Sequence, residues 1–213
     1  MTAPAPAPVQ QPVSGRNGTG TRETAQTPIR CLVVDDHPAI LAGLRGLLAS
    51  EPDLEVVDAL DSAEAAADLA EQVPLDVAIV DYQLPGHSGL WLSRKLKRLP
   101  EPPAVLIYSA FSDYTLAAAC VVAEADGLLS KSALGSDLYT AIRRAAMGMS
   151  RLPPVPPTLA DGLRRRFDSL EQAIFGLLLA GISRDEIGLT LHIATGELET
   201  RQWTMLRKLE RLD

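Results

Sequence analysis

Three aspartates, a serine and a lysine are placed to do chemistry together. Asp35 and Asp36 close the run IRCLVVDD, Asp81 closes DVAIVD, Ser109 falls near the end of AVLIYSA, and Lys131 closes DGLLSK. Each run is short and aliphatic, reads as a buried strand, and carries its polar side chain at the carboxyl end. Carboxylates converging on one crevice repel and raise one another's pKa unless a cation sits among them. Oxygen donors with a few waters suit Mg²⁺ better than zinc or copper. An ammonium and a hydroxyl beside one carboxylate then supply what a phosphoryl group needs: charge balance from Mg²⁺ and Lys131, and a hydrogen bond from Ser109.

The elements that must position these groups follow from the pattern between them. With LEVVDAL at 54–60 there are five short strand-like runs, separated by amphipathic stretches at about 38–49, 62–72, 89–98, 113–123 and 136–148. Ser62 and Ser136 are placed to cap two of these helices. Strands alternating with helices predict a five-stranded parallel, doubly wound (flavodoxin-like) α/β domain, whose ligands collect at the strands' carboxyl ends. Paired acids such as Asp35 and Asp36 before Pro38 would by themselves mark only a helix start; His37 reads as a solvated neighbour of that cap.

Composition sets the boundaries. Of 213 residues, 46% are hydrophobic and 22% charged, which excludes a wholly disordered chain. Residues 1–28 hold five prolines and almost no large apolar side chain, and read as a disordered tail. Residues 29–150 form the α/β domain, the proline-rich 151–158 a semi-rigid linker, and 159–213 a second domain with only helical patterning. No apolar run reaches the roughly 18 residues of a membrane span, and no secretory signal opens the chain, so a soluble cytoplasmic protein without a membrane partner is expected. Cys31 and Cys120 lie in apolar runs with no metal-binding spacing. The net charge of -7 comes from residues 30–149, which hold nine basic and seventeen acidic side chains, whereas residues 150–213 hold nine of each. Bulk electrostatics therefore gives no general affinity for nucleic acid, and any such role must be local.

The sequences VVDDHP (33–38), IVDYQLPGHSG (79–89), YSA (108–110) and LLSK (128–131) resemble the receiver domain of two-component response regulators over about 120 residues. The resemblance implies that Asp81 is a phosphoacceptor for a sensor histidine kinase. It implies Mg²⁺ held by Asp35, Asp36, Asp81 and the backbone carbonyl of Gln83, with Lys131 on the acyl phosphate and Ser109 moving toward it. Such a protein is a switch, not a turnover enzyme, and commonly a homodimer. One departure is Leu128, where receivers of this kind commonly carry an aromatic that swings inward on activation. Tyr108 and Phe111 flank Ser109 and are candidates for that packing change, with core packing the other role for Tyr108.

Beyond Phe167 the chain resembles the helix-turn-helix output domain of the NarL/LuxR family, with AGISRDEIGLTLHI followed by a helix from about Ala194 to Leu209. Ser183 and Glu186 form a capping-box pair. As read here the domain lacks the family's final dimerisation helix. It also offers Glu197 and Glu199 where that family usually offers Thr and Lys, and a duplex repels glutamate. Arg184, Arg201, Arg207 and Lys208 remain for phosphates, and Arg164 to Arg166 read equally as phosphate contacts or a solvated helix end. Trp203, with Thr200 and Arg207, falls opposite Leu198, Met205, Leu206 and Leu209, so it is expected to be partly exposed. It serves either a protein partner, or packing against the α/β domain or within an oligomer. Three functions stay open: transcription regulation by DNA binding, a signalling adaptor whose output domain binds a protein, or a pseudo-receiver that takes no phosphate and works by constitutive dimerisation.

Overall fold

The computed structural model describes residues 27–133, 135–150 and 152–209. Residues 1–26 of the expected tail and residues 210–213 lie outside the described residues. Five strands, β1 (Ile29–Val34), β2 (Leu54–Leu60), β3 (Val77–Asp81), β4 (Ala104–Ser109) and β5 (Gly127–Ser130), alternate with five helices. These are α1 (Pro38–Leu48), α2 (Ala63–Ala70), α3 (Gly89–Leu96), α4 (Tyr114–Val122) and α5 (Gly135–Ala146). All pairings are parallel, in the order β2-β1-β3-β4-β5. The winding reverses at β1 and β3, and the crevice beyond their carboxyl ends is where such sheets place ligands. Register brings the ends together, Val34 opposite Val80, Asp81 opposite Tyr108, and Ser109 opposite Ser130.

Local chemistry starts the helices. Pro38 opens α1, where its missing N–H costs nothing. Ser62, Ser88 and Asp113 accept backbone N–H bonds at the N-termini of α2, α3 and α4. Ser136 does not cap α5, because that helix begins one residue earlier at Gly135 and places Ser136 inside the first turn.

The C-terminal segment forms α6 (Pro157–Arg164), α7 (Ser169–Leu179), α8 (Arg184–Leu191) and α9 (Thr195–Leu209). Helix therefore begins within the stretch expected to be linker: Pro157 is tolerated in the first turn, so proline density there did not exclude a helix. Asp168 with Glu171 and Ser183 with Glu186 each close a capping box, and His192 ends α8 in the left-handed region, at φ 54°.

The core explains how the two parts meet. One face of the sheet packs α1 and α5 through Leu44, Leu48, Leu138 and Ile142. On the other face a single apolar cluster runs from Leu32, Val80 and Ile107 through Ala118 and Val122 of α4 to Phe175, Leu198 and Leu206 of the C-terminal helices. Helix α4 is thus covered on both sides, and six of its nine residues are buried.

Candidate functional site

The β1–β3 crevice holds the five residues that the strand ends pointed to. Asp35, Asp81 and Ser109 are buried. Lys131 Nζ lies 2.5 Å from Asp35 Oδ2 and 3.0 Å from Asp81 Oδ2. Asp35, Asp36, His37 and Asp81 each offer a ligand atom within 4.8 Å of the others. His37 is no bystander to the acids, its Nδ1 being 2.7 Å from Asp36 Oδ1 and 3.2 Å from Asp35 Oδ1, although its side chain is 65% exposed. Burial raises the Asp81 carboxyl above its ordinary pKa; Lys131 opposes that rise by hydrogen bond and charge, Asp35 adds to it, and the Gln83 backbone amide opposes it. Burial alone would depress Lys131, but its bonds to Asp35 and Asp81 outweigh this and hold it above its usual value.

This donor set fits a hard divalent cation. Three carboxylates face one ammonium, so negative charge is left over, and every aspartate donor is an oxygen. Helix α3 starts against the backbone of Asp81. A Cβ on Gly89 would fall 2.1 Å from the Asp81 carbonyl oxygen, so only glycine fits there, and its N–H donates to the Tyr82 carbonyl at 2.9 Å. On the opposite side Ser109 Oγ accepts from the Phe111 N–H at 3.1 Å, and the Tyr108 hydroxyl donates to the Lys131 carbonyl at 3.3 Å. Tyr108 is otherwise core, whereas Phe111 is 68% exposed. Leu128 is half-buried on β5.

The candidate reading helix, α9, does not face solvent on all of its polar side. Glu199 accepts from Arg98 Nε at 2.6 Å and pairs with Arg94 Nη2 at 3.4 Å. Glu124, just past α4, accepts from Arg94 at 2.7 Å, from Arg98 at 3.1 and 3.3 Å, and from Gln202 Nε2 of α9 at 2.7 Å. Arg94 and Gln202 are fully buried, with Arg94 Nε and Gln202 Oε1 left without a hydrogen-bond partner among the described residues. Burial lowers the Arg94 pKa to about 10, partly offset by Glu124, so it stays charged at neutral pH. Burial disfavours ionised Glu124 and Glu199, yet the Arg98 hydrogen bonds and the Arg94 and Arg98 charges prevail and hold both below the usual carboxylate range. Glu124 sits at φ 58°, a conformation that costs an L-residue about 1–2 kcal/mol and that aims its carboxylate into this cluster.

The residues expected to meet DNA or a partner therefore divide. Glu199 and Trp203 contact the α/β domain, Arg94 standing 5.7 Å over the Trp203 ring. In this structure Glu199 is paired within the chain, with Arg94 of α3 and with Arg98 just past the end of that helix. Arg201 pairs with Asp168 at 2.5 Å and Glu197 at 3.8 Å, Lys208 with buried Glu171 at 2.5 Å, and Arg184 lies 4.0 Å from Glu199. Glu197, Thr200 and Arg207 are exposed. Sequence reasoning missed Arg94, Arg98, Glu124 and Gln202. The readable signal was α4 itself, whose run TLAAACVV has no polar face for water and so requires a covering layer on each side.

Residues 31–143 match the family described as response regulator receiver domain. The nitrate/nitrite response regulator protein NarL of Escherichia coli K12 is 27% identical over 196 residues, covering 87% of this chain and 91% of its own. The DNA-binding transcriptional activator EvgA of the same strain is 26% identical over 188 residues, covering 85% and 92%. The two-component response regulator RcsB in its DNA complex superposes with a TM-score of 0.56 at 20% identity, over 86% of this chain and 92% of that one, a likeness of fold.

Proposed function

The chain belongs to the response regulator receiver family, and from that premise we propose that Asp81 accepts a phosphoryl group from a sensor histidine kinase and thereby frees α9 to bind duplex DNA as a transcription regulator. An Asp81 carboxylate oxygen forms the new bond to phosphorus as the bond from phosphorus to the donor imidazole nitrogen breaks; the donor ring, protonated on its other nitrogen, keeps the bonding pair and leaves as neutral imidazole. Asp35, Asp36, Asp81 and the Gln83 carbonyl hold Mg²⁺, which when bound neutralises oxygen charge on the incoming group. Lys131, already between Asp35 and Asp81, balances a second oxygen. Ser109 turns its hydroxyl proton toward a third.

The Ser109 bond to the Phe111 amide gives that movement a route. Asp113, two residues on, caps α4, and α4 ends beside Glu124. A shift of α4 disturbs both the apolar seam and the Glu124 cluster, which dispenses with an aromatic at Leu128. The protein acts as a switch. Leu47 of α1 and Met147 and Met149, just past the end of α5, are exposed and offer apolar surface to a second copy in a homodimer.

The observation that carries the reading is that Glu199 and Gln202 of α9 are bonded to the α3–α4 edge of the phosphoacceptor domain. Fluorescence anisotropy of a labelled random duplex tests it, with and without acetyl phosphate and Mg²⁺, for the parent and for Asp81→Asn. The parent should gain an affinity on phosphorylation that falls steeply with salt, and the variant should not. A phosphorylated parent with no duplex affinity at roughly 50 mM salt overturns the DNA assignment.

A further inference from the structure

Both tryptophans of this 213-residue chain line one cavity. It has a volume of about 550 Å³ and lies in the seam between the loop after β3, helix α3 and helix α9. Its walls include Tyr82, His87 and Trp91 from one domain and Trp203, Leu206 and Arg207 from the other. His87 stacks on Trp91 with ring centroids 4.0 Å apart and planes 4° from parallel, a preformed flat surface. Cations gather behind and beside the rings, with Lys95 Nζ 5.3 Å from the Trp91 centroid, Arg94 over Trp203, and Arg207 in the wall itself. No carboxylate belongs to the lining among the described residues; Glu64 stands outside it, 3.7 Å from His87.

We propose that this cavity binds a planar aromatic carboxylate of one or two rings. The volume falls in the range of small-ligand sites, aromatic walls favour a flat ring, and Arg207 is suited to grip a carboxylate in two parallel hydrogen bonds. Because the walls come from both domains, a bound ligand stabilises the closed arrangement by mass action and opposes release of α9. The site depends on that closed arrangement but not on phosphoryl transfer.

The test is an NMR titration of the full chain with 2-naphthoate, read at the two indole N–H resonances and assigned with Trp91→Phe and Trp203→Phe. Both resonances should shift along one saturable curve. The neutral 2-naphthylmethanol and the non-aromatic cyclohexanecarboxylate should each bind at least about tenfold more weakly, the scale of one lost aromatic or charge contact. Arg207→Gln, checked for an unchanged melting midpoint, should reduce naphthoate to the level of the alcohol. Absence of shifts, shifts of one indole alone, or equal responses to all three compounds would overturn the proposal. Labelling of Asp81 by acetyl phosphate in the same sample reports separately on the phosphoacceptor reading.

Discussion

The strand-end pocket and the seam between α3, α4 and α9 both withdraw charged side chains from water, and they balance them in opposite ways. In the pocket, Asp35, Asp36 and Asp81 face a single lysine, Lys131, so negative charge remains for something from outside to complete. In the seam, Arg94 and Arg98, with Arg184 at 4.0 Å from Glu199, meet Glu124 and Glu199, so no negative charge is left over. We propose that the first is a reactive site and the second a latch. The burial of Asp81 and of Arg94 is similar in degree, so it is the count of partners that separates the two.

That contrast can be broken from the pocket side first. Asp81→Asn should abolish the labelling that acetyl phosphate and Mg²⁺ give the parent, and chelation of the metal should do the same, read by phosphoprotein gel or intact mass. Either variant or chelator retaining label removes the claim that the pocket is reactive through that carboxylate and a cation. Lys131→Met should keep the site but slow phosphoryl uptake by about 10²–10³-fold, the usual cost of one electrostatic donor.

The seam is tested by stability instead. Arg94→Ala removes the buried cation shared by Glu124 and Glu199, leaving them to Arg98, and should cost about 3 kcal/mol in urea unfolding, whereas an apolar pair, Arg94→Met with Glu199→Leu, should cost less. Equal losses for both would mean that the charges themselves, and not their mutual satisfaction, hold α9. Gly89→Ala should destabilise by about 1–3 kcal/mol through overpacking against the Asp81 carbonyl, and in addition slow phosphoryl uptake because the pocket must shift.

The smallest effect is a pH dependence. Glu124 and Glu199 titrate below their ordinary 4.5 in the folded chain, so their pairing with Arg94, Arg98, Arg184 and Gln202 contributes stability above that pH. This contribution is lost as pH falls below it. Amide protection in α9 should drop on acidification through this window, and less so in Glu124→Gln. A protection profile flat to acid in the parent would contradict the latch.

The pocket was legible because β-strands end where aliphatic runs end, and Asp35, Asp81, Ser109 and Lys131 are the polar residues at those ends. Two helix starts were legible for the same local reason, Ser62 and Ser183 accepting the first free N–H groups, whereas Ser136 falls inside α5. The seam was not, because its pairs are remote: Glu199 meets Arg98 across 101 positions, and nothing near Glu199 in sequence announces that partner. Helix α6 was hidden by Pro156 and Pro157, which signal extension in a run but suit the start of a helix.

If phosphorylation at Asp81 opens the seam, α9 loses its cover. Hydrogen exchange of the α9 amides, compared before and after acetyl phosphate with Mg²⁺ in the parent and in Asp81→Asn, measures that directly. Protection from Leu198 to Leu206 should fall in the phosphorylated parent and stay unchanged in the variant. Full protection of α9 while Asp81 carries the phosphoryl group would contradict it.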